Sequence, residues 1–481
     1  MTDFLSVEQF LQDFVPAIID DDAAVFAGAG LSRAAGYVDW KALLLAFADE
    51  LGLDLDVETD LVAVAQYHLN REGRIRSRLN QKLTDELSGA ATPSEAHQNL
   101  ALLPIKTFWT SNYDTLIEES LRAAGRKVQI RKPGSSLTVS VRDASAEVLK
   151  MHGDISDPDK IVITKDDYER YAVDNAGLLR RLQNDLITKS FLFVGFSFAD
   201  PNLELIFGQL RQIVKDSPRS HYAIFKQPQR DEYRKIGQYR YELNRWRLRL
   251  QDLSRYGIQP VVVSDYDEIP EILRQIRIRG QRRRVLVSGS FAQSETWPER
   301  RLVDFCQSLG SRIVKEGLDL ANGFGLGVGS PVITGAVEEL YRLGATSLER
   351  RLLLRPFPQT TPRGMSRVDL WDKYRRDLIA PTGFAIFVAG NKLDSTGQVV
   401  AADGVRREFE IARELQKFVL PIGASGSIAR ELWSEVRSDP SAYFPPKMPK
   451  RPLAVLGSER ASNTEILDAL FVLVSWLRNK P

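Results

Sequence analysis

A glycine-rich turn near the amino terminus is the first stretch of this 481-residue sequence that could do chemistry. An apolar run over residues 23–27 ends at Gly28 and Gly30, and Ser32 and Gly36 follow. Because glycine lets the backbone approach a ligand closely, such turns often hold phosphate groups. A dinucleotide held there could undergo hydride transfer, be cleaved, or only be sensed. The alternative is a tight turn that uses glycine for backbone geometry alone.

Hydride transfer is disfavoured by the residues around this turn. The dinucleotide fingerprint needs glycine or alanine at the third position and an acidic residue about 20 positions on, at a strand end. Here Arg33 occupies the third position, and Asp49 and Glu50 fall in the amphipathic stretch WKALLLAFADELG, which has helical spacing. The expected βαβ context is therefore missing.

Three more polar turns each follow an apolar strand. Because the carboxyl ends of parallel strands meet at one edge of a sheet, where ligands bind, we expect these turns to lie together. Each has a simpler explanation, since Asn112 or Asp114 could cap a helix and His152 could be a turn histidine. The set, in this order along the chain, points instead to one site: Ser111–Asp114, His152–Asp154 and 197–202.

The elements that position these turns predict an α/β protein with two nucleotide-type folds. After the glycine turn the spacing predicts a helical stretch over roughly 40–100, and strands then alternate with helices. The basic stretch RIRGQRRR, residues 277–284, precedes a second strand–helix alternation, which favours a doubly wound parallel sheet. We therefore predict two domains, 1–280 and 281–481.

The second half carries its own glycine-rich stretch, NGFGLGVGSPVITGAVEEL, over residues 322–340. Ser330 is predicted as the N-cap and Pro331 as the first residue of the following helix. Exposed N–H groups at such a helix start suit an anionic group. The alternative is a flexible glycine loop.

Composition excludes several classes of protein. The net charge of +2 gives no argument for nucleic acid, and no aromatic platform accompanies the arginine cluster, so nucleic-acid binding is not expected. The single cysteine, Cys306, excludes an internal disulfide framework and a cysteine zinc site. No apolar run reaches the roughly 18–20 residues of a membrane span, and no secretory signal is apparent. We expect a cytoplasmic protein that requires no metal.

The segments GAGLS, TSNYD, MHGD and VGFSFADPNL together resemble the sirtuin family, and more closely its bacterial defence branch, over about residues 20–280. The resemblance implies NAD as the substrate, a Rossmann-like domain with a helical insertion, and a pyrophosphate held by the Gly28–Ser32 turn and Arg33. It implies that Asn112 orients the ribose and the attacking water, and that His152 is a general base or orients the ribose hydroxyls. The NAD-binding residues that it implies are Ala27, Gly28, Ala29, Ser32, Arg33, Asp114, Gly195, Ser197, Asp200 and Asn202.

One departure from that family bears on the reaction. Protein-deacylating sirtuins carry a four-cysteine zinc module, which a chain with one cysteine cannot form. Water is then the favoured acceptor, so the resemblance implies an NAD glycohydrolase. The alternatives are an NAD-dependent protein deacylase or ADP-ribosyltransferase, or a nucleotide sensor without catalysis. The sequence leaves open whether His68 or His97 of the helical insertion reaches the site, and whether NAD is preferred over NADP.

The segments VLVSGS and VAGNK, with the second glycine loop, resemble the SLOG family in its STALD-type branch. A sirtuin-like domain followed by a SLOG domain resembles the Thoeris antiphage effectors. That resemblance implies a homotetramer or larger assembly, and a TIR-domain partner that makes a cyclic ADP-ribose isomer. Binding of this signal to the second domain would trigger destruction of NAD. The signal-binding residues that it implies are Ser288, Gly289, Ser290, Gly329, Ser330, Arg375, Lys392 and Glu408.

Overall fold

The computed structural model describes residues 4–37, 40–58, 60–87, 89, 91–196, 198, 206–208, 211, 219–293, 296–346, 348–358, 360–364, 366–478 and 480. The chain divides into two compact units, Met1–Arg277 and Ile278–Pro481. Each unit is built on its own parallel β-sheet, as the α/β prediction requires. None of the helices in the described ranges is long and apolar enough to cross a membrane.

The first unit contains a seven-stranded sheet in the order β3-β4-β2-β1-β5-β6-β7. Its paired strands are all parallel, and the chain returns to the centre of the sheet when β5 pairs beside β1. This reversal of direction makes the crevice between β1 and β5 the place where such folds bind ligands. The strands are β1 Ala23–Ala27, β2 Thr107–Thr110, β3 Val128–Arg131, β4 Ala146–Lys150, β5 Ser190–Val194, β6 His221–Lys226 and β7 Ile258–Val263.

The central strand β1 is buried along its whole length because helices cover both faces of this sheet. Val25 and Ala27 belong to one hydrophobic cluster, and Ala24 and Phe26 belong to another, as alternation along a strand requires. The described helices are α1 Val7–Ile19, α2 Ala29–Arg33, α3 Trp40–Leu51, α4 Leu61–Arg71, α5 Arg76–Leu87, α6 Glu95–Ala101, α7 Leu116–Ala123, α8 Lys165–Asp174, α9 Ala176–Thr188, α10 Ile236–Leu253 and α11 Ile269–Gln281.

The predicted helical insertion is confirmed, because α3 to α6 fill the chain between β1 and β2. In α3 the buried residues Leu43, Leu44, Phe47 and Ala48 recur at helical spacing. They form a separate small core with residues of α4 and α5. Tyr113 also belongs to this core, so the insertion packs against the turn after β2.

The second unit contains a five-stranded sheet in the order β10-β9-β8-β11-β14. All its pairings are parallel, and the order reverses between β8 and β11, which confirms the doubly wound prediction. A separate antiparallel hairpin is formed by β12 and β13. The strands are β8 Arg284–Ser290, β9 Asp319–Asn322, β10 Leu352–Leu354, β11 Phe384–Ala389, β12 Asn391–Leu393, β13 Val399–Ala401 and β14 Phe418–Ile422.

One hydrophobic cluster runs through this unit, with strand residues such as Val287 and Phe387 and helix residues such as Phe305 and Leu470 fully buried. The helices are α12 Glu299–Lys315, α13 Gly329–Arg342, α14 Arg367–Ile379, α15 Asp403–Glu414, α16 Ser427–Ser438, α17 Lys450–Val455 and α18 Asn463–Arg478.

The predicted start of α13 is wrong by two residues. The helix begins at Gly329 with Val328 at the N-cap position, so Ser330 is its second residue, is exposed and is not the cap. The backbone is already wound before Ser330, because Val328 and Gly329 both donate N–H groups to the Gly325 carbonyl. Pro331 is tolerated there because the first helical turn leaves its N–H groups without intrahelical partners.

Candidate active site and nucleotide site

A cavity of about 1490 Å³ opens at the carboxyl edge of the first unit's sheet. Several residues singled out in the sequence line its wall, although they come from turns after four different strands. They are Ala29, Ser32, Arg33, Asn112, Asp114, His152 and Gly195. The structure therefore brings the turns after β1, β2, β4 and β5 to one place.

The glycine turn after β1 packs directly against the turn after β5. A Cβ atom on Gly28 would lie 2.5 Å from the carbonyl oxygen of Gly195. Gly195 has a φ of +64°, and a Cβ atom there would lie 2.3 Å from the amide nitrogen of Leu31. Gly28 N–H donates to the Val194 carbonyl and Gly30 N–H donates to the Gly195 carbonyl, each at 2.9 Å. These glycines are needed for a backbone-to-backbone contact at the β1/β5 crevice.

Asn112 is buried in the turn after β2, and its amide group is held in one orientation. Its Nδ2 donates to the Gly28 carbonyl at 3.0 Å and to Ser32 Oγ at 2.8 Å. Because a carbonyl oxygen only accepts, the NH₂ group must point toward Gly28. The opposite atom, Asn112 Oδ1, is buried and has no hydrogen-bond partner among the described residues. A buried acceptor without a partner in the wall of a cavity suits a ligand donor.

Ser32 and Asp114 support this orientation. Ser32 Oγ donates to Asp114 Oδ2 at 2.6 Å, and the second carboxylate oxygen accepts from the Leu116 N–H at 3.0 Å. Thr110, which the sequence did not single out, accepts from the Asn112 N–H at 3.0 Å and donates to the Ala27 carbonyl at 2.9 Å. Ala27 itself is fully buried at the end of β1.

His152 lies in the turn after β4, the strand that pairs with β2. Its side chain is buried, and its ring meets Tyr168 edge to face with centroids 5.4 Å apart. Tyr171 stands at 90° to the same ring and donates its hydroxyl to the Met151 carbonyl at 2.8 Å. Gly153 takes a φ of +79°, which allows the turn. An imidazole in a cavity wall is a side chain that can act as a general acid or base toward a bound ligand.

The remaining sequence candidates of this unit lie elsewhere or are not described. Ser197, Asp200 and Asn202 fall outside the described residues. His68 and His97 are buried, and neither contributes to the described wall of the cavity. His68 Nε2 pairs with Glu50 at 2.9 Å, and His97 Nδ1 with Ser94 Oγ at 2.8 Å. Both contacts are structural.

In the second unit, Ser288, Arg375 and Glu408 meet near the carboxyl end of β8. Arg375 Nε lies 3.6 Å from Glu408 Oε1, and both side chains are nearly buried. Burial raises the pKa of the Glu408 carboxyl, and the neighbouring Ser288 hydroxyl and the charge on Arg375 only partly offset it. Phe357 and Trp371 face the Arg375 guanidinium at 5.3 and 5.7 Å. No pattern in the sequence indicated this aromatic pair.

The other candidates of this unit are distributed around the same edge. A Cβ atom on Gly325 would lie 1.9 Å from the Gly289 carbonyl, so the glycine loop lies against the end of β8. Ser290 donates to the Asn391 carbonyl at 2.9 Å. Lys392, by contrast, is exposed on the β12–β13 hairpin and pairs with Asp403 at 3.2 Å.

Asn391 was missed in the sequence, yet it is the buried centre of this edge. Its Nδ2 donates to the Gln293 carbonyl at 2.7 Å and to Ser427 Oγ at 2.8 Å, and its Oδ1 accepts from the Ala292 N–H at 2.7 Å. The position of Asn391, directly after Gly390 at the end of β11, is the sequence feature that could have indicated it.

Comparison with known proteins finds two family models that match different parts of the chain. The model of the SIR2-like domain matches residues 106–250, and the model of the Sir2- and TIR-associating SLOG family matches residues 268–477. A Bacillus cereus (strain MSX-D12) protein named NAD(+) hydrolase ThsA is 40% identical over 475 residues, covering 98% of this chain and 99% of the relative. An Enterococcus faecium protein of the same name is 40% identical over 442 residues, covering 90% and 91%.

A more distant relative shares part of the chain. Defense-associated sirtuin 2 of Bacillus subtilis is 24% identical over 214 residues, which cover 42% of this chain and 20% of that protein. The near-complete coverage of the two former relatives, together with both domain matches, decides the assignment: the chain belongs to the ThsA family of NAD(+) hydrolases, with a SIR2-like domain followed by a SLOG domain.

Proposed function

We propose that the first unit is an NAD glycohydrolase that cleaves NAD to nicotinamide and ADP-ribose with water as the acceptor. The observation that carries the proposal is the oriented Asn112 amide in the same cavity wall as His152 and the glycine turn, with an Oδ1 that has no partner among the described residues. The names of the full-length relatives support the same activity.

In this reaction the bond between ribose C1′ and the pyridinium nitrogen breaks, and its electron pair moves onto the nicotinamide ring. The ribose passes through an oxocarbenium-like state, which water attacks at C1′. Asn112 Oδ1 accepts a hydrogen bond from the ribose or from the water, and His152 takes the proton that the water loses. The products are nicotinamide, ADP-ribose and one proton. A positioned base of this kind is worth about 10²–10⁴-fold in rate.

The glycine turn and Arg33 are proposed to hold the pyrophosphate. Arg33 is exposed at the cavity and carries a charge that suits a phosphate. Ser32 and Asp114 are engaged with one another and with the Asn112 turn, which favours a supporting role for both.

The activity is tested by incubating the full chain with NAD in ¹⁸O-labelled water, with and without a cyclic ADP-ribose isomer, and following nicotinamide and ADP-ribose. We expect equimolar products, with the label in ADP-ribose. We expect the rate of nicotinamide release to be about 10²–10⁴-fold lower in the His152→Gln variant. Product formation only with an acylated peptide would instead indicate a deacylase. Transfer of ADP-ribose to protein would indicate a transferase, and the absence of nicotinamide under every condition would leave only a sensor.

We further propose that the second unit binds a cyclic ADP-ribose isomer made by a TIR-domain partner, and that binding releases the NADase in an antiphage response. The supporting observation is the nearly buried cluster of Ser288, Arg375 and Glu408 beside the glycine loop. Arg375 suits a phosphate, and a carboxylate such as Glu408 suits ribose hydroxyls. The proposal includes a cytoplasmic homo-oligomer, a tetramer or larger, with gating through its assembly.

Signal binding is tested by the shift in melting temperature of the full chain with cyclic ADP-ribose isomers. We expect an isomer-specific shift that Arg375→Met abolishes. Arg376→Met is the matched control, because Arg376 pairs at the surface with Glu414. Equal shifts in both variants would contradict the assignment of Arg375.

A further inference from the structure

Four charged side chains form a buried group behind the turns that carry Asn112 and His152. Lys150 is 0% exposed, Glu118 1% and Asp154 4%, and Lys132 is the most accessible at 20%. We refer to these four residues as the buried charge cluster. Two positive and two negative charges balance within it.

Lys150 contacts both turns through a single ammonium group. Its Nζ donates to the main-chain carbonyl of Asp114 in the turn after β2. The same atom donates to Glu118 Oε1 in α7 at 2.8 Å and lies 3.8 Å from Asp154 Oδ2 in the turn after β4. Asp114 follows Asn112 by two positions, and Asp154 follows His152 by two positions. The Lys150 side chain therefore connects the two turns that carry Asn112 and His152.

Asp154 is also held by Lys132 and Ser156, which bind the carboxylate oxygen that does not face Lys150. Burial raises the pKa of this carboxyl, but hydrogen bonds from Lys132 and Ser156 and the charge on Lys150 outweigh burial, so its pKa is lowered. Asp154 Oδ1 accepts from Lys132 Nζ at 2.8 Å and from the Ser156 N–H at 3.0 Å. The charged carboxylate anchors the His152 turn to Lys150.

Stability alone does not account for a fully buried ammonium. Removing such an ion from water costs several kcal/mol, and apolar residues of similar volume are often equally stabilising. A charged group with three fixed oxygen partners does specify the relative position of the elements that carry those oxygens. Lys150 ends β4 and pairs in register with Thr110 of β2, which places it at the junction of the two strands.

We propose that Lys150 is a positioning residue for NAD cleavage, holding Asn112 and His152 at the distance and angle that the reaction needs. The inference rests on the proposed function. It concerns the chemical step rather than the affinity for NAD, because the proposed pyrophosphate contacts come from the glycine turn. Misplacement of a reacting group by about 1 Å can cost about 10²-fold in rate.

The test compares Lys150→Met, the double variant Lys150→Met/Glu118→Gln and the control Arg131→Met in the full chain. Arg131 is likewise buried in the first unit, but its partners are Glu147 and the carbonyls of Ser136 and Val139. Melting temperature, the Kd of a non-hydrolysable NAD analogue, kcat and KM are measured for each. The double variant removes the uncompensated charge that the single substitution leaves on Glu118.

We expect kcat to fall roughly 10- to 100-fold in both Lys150 variants, with Kd and KM changed less than about threefold. We expect the double variant to regain melting temperature without regaining kcat, and Arg131→Met to retain kcat. A folded double variant with wild-type kcat would overturn the inference, and so would loss of fold in both Lys150 variants, because Lys150 would then be structural. If wild-type protein releases no nicotinamide either with or without a cyclic ADP-ribose isomer, the proposed function itself fails; this result is distinct from that of an active wild type with active variants.

Discussion

Single side chains of the candidate site are oriented by hydrogen bonds between residues far apart in the chain. Ser32 contacts Asn112 and Asp114, which lie 80 and 82 positions away. The sequence indicated that these three residues belong near one another, because each follows an apolar strand. It could not indicate that the Ser32 hydroxyl would stand between the other two, since this depends on rotamers and on the close approach of two turns.

Ser32→Ala is expected to lower kcat for NAD cleavage roughly 5- to 100-fold, because it removes one of the two acceptors that orient the Asn112 amide and leaves Asp114 Oδ2 without its donor. Steady-state nicotinamide release measures the effect. Ser120→Ala is the matched control: Ser120 is also a buried serine, but its hydroxyl donates to the Leu116 carbonyl within α7. An unchanged rate in Ser32→Ala would show that Asn112 is oriented without it.

At the scale of the elements, the contact between the turns after β1 and β5 leaves no room for a side chain on Gly28 or Gly195. Gly195→Ala is expected to destabilise the first unit by more than about 1 kcal/mol, because alanine is strained at a φ of +64° and its Cβ atom would meet the Leu31 nitrogen at 2.3 Å. Thermal unfolding measures the loss. Gly237→Ala in α10 is the control, because nothing lies within 4 Å of its Cβ position. Equal melting temperatures for the two variants would contradict the packing of these turns.

The strand β6 contains a histidine that makes the first unit sensitive to acid. Burial lowers the pKa of His221 to about 4, and the charge on Arg219 acts in the same direction. Its Nδ1 accepts from the Phe191 N–H at 3.2 Å, so the folded state holds the neutral ring. Between the unfolded value of 6.5 and about 4, the unfolded chain binds a proton that the folded chain does not. Stability is therefore lost as the pH falls through this range.

His221→Asn keeps an acceptor for the Phe191 N–H but does not titrate. On going from pH 7.5 to pH 5, the wild type is expected to lose about 2 kcal/mol more stability than this variant. Urea unfolding at the two pH values measures the difference. The same pH dependence in both proteins would mean that His221 is protonated without cost in the folded state.

The elements that the sequence predicted well are those with long periodic patterns. The insertion helices and the buried strands β1, β5 and β11 repeat apolar residues clearly. The short strands β3 and β9, of four residues each, and the hairpin β12–β13 were missed. Such short segments carry too few residues to show a period, and tertiary contacts decide their structure. The N-cap predicted at Ser330 is misplaced because hydrogen bonds to the Gly325 carbonyl start the helix earlier, at Gly329.

The molecule as a whole contains two α/β units, for which separate functions are proposed. The glycine loops of both units lie where the strand order of a parallel sheet reverses, beside β1 and beside β8. The sequence indicated the first glycine loop through the apolar strand before it, and the second through the density of glycines in residues 322–340, since β9 was missed. Sequence patterns could not predict the buried charge cluster, since the strand AEVLK carries both Glu147 and Lys150 and its pattern does not show that the lysine is the buried one.

We propose that nucleotide binding by the second unit switches on NAD cleavage by the first. The direct test is the initial rate of nicotinamide release by the full chain as a cyclic ADP-ribose isomer is titrated, for wild type, Asn112→Ala and Arg375→Met. We expect a saturable rise in rate for the wild type, no release by Asn112→Ala although this variant still binds the nucleotide, and no rise for Arg375→Met. A wild-type rate independent of the nucleotide, or undiminished release by Asn112→Ala, would contradict it.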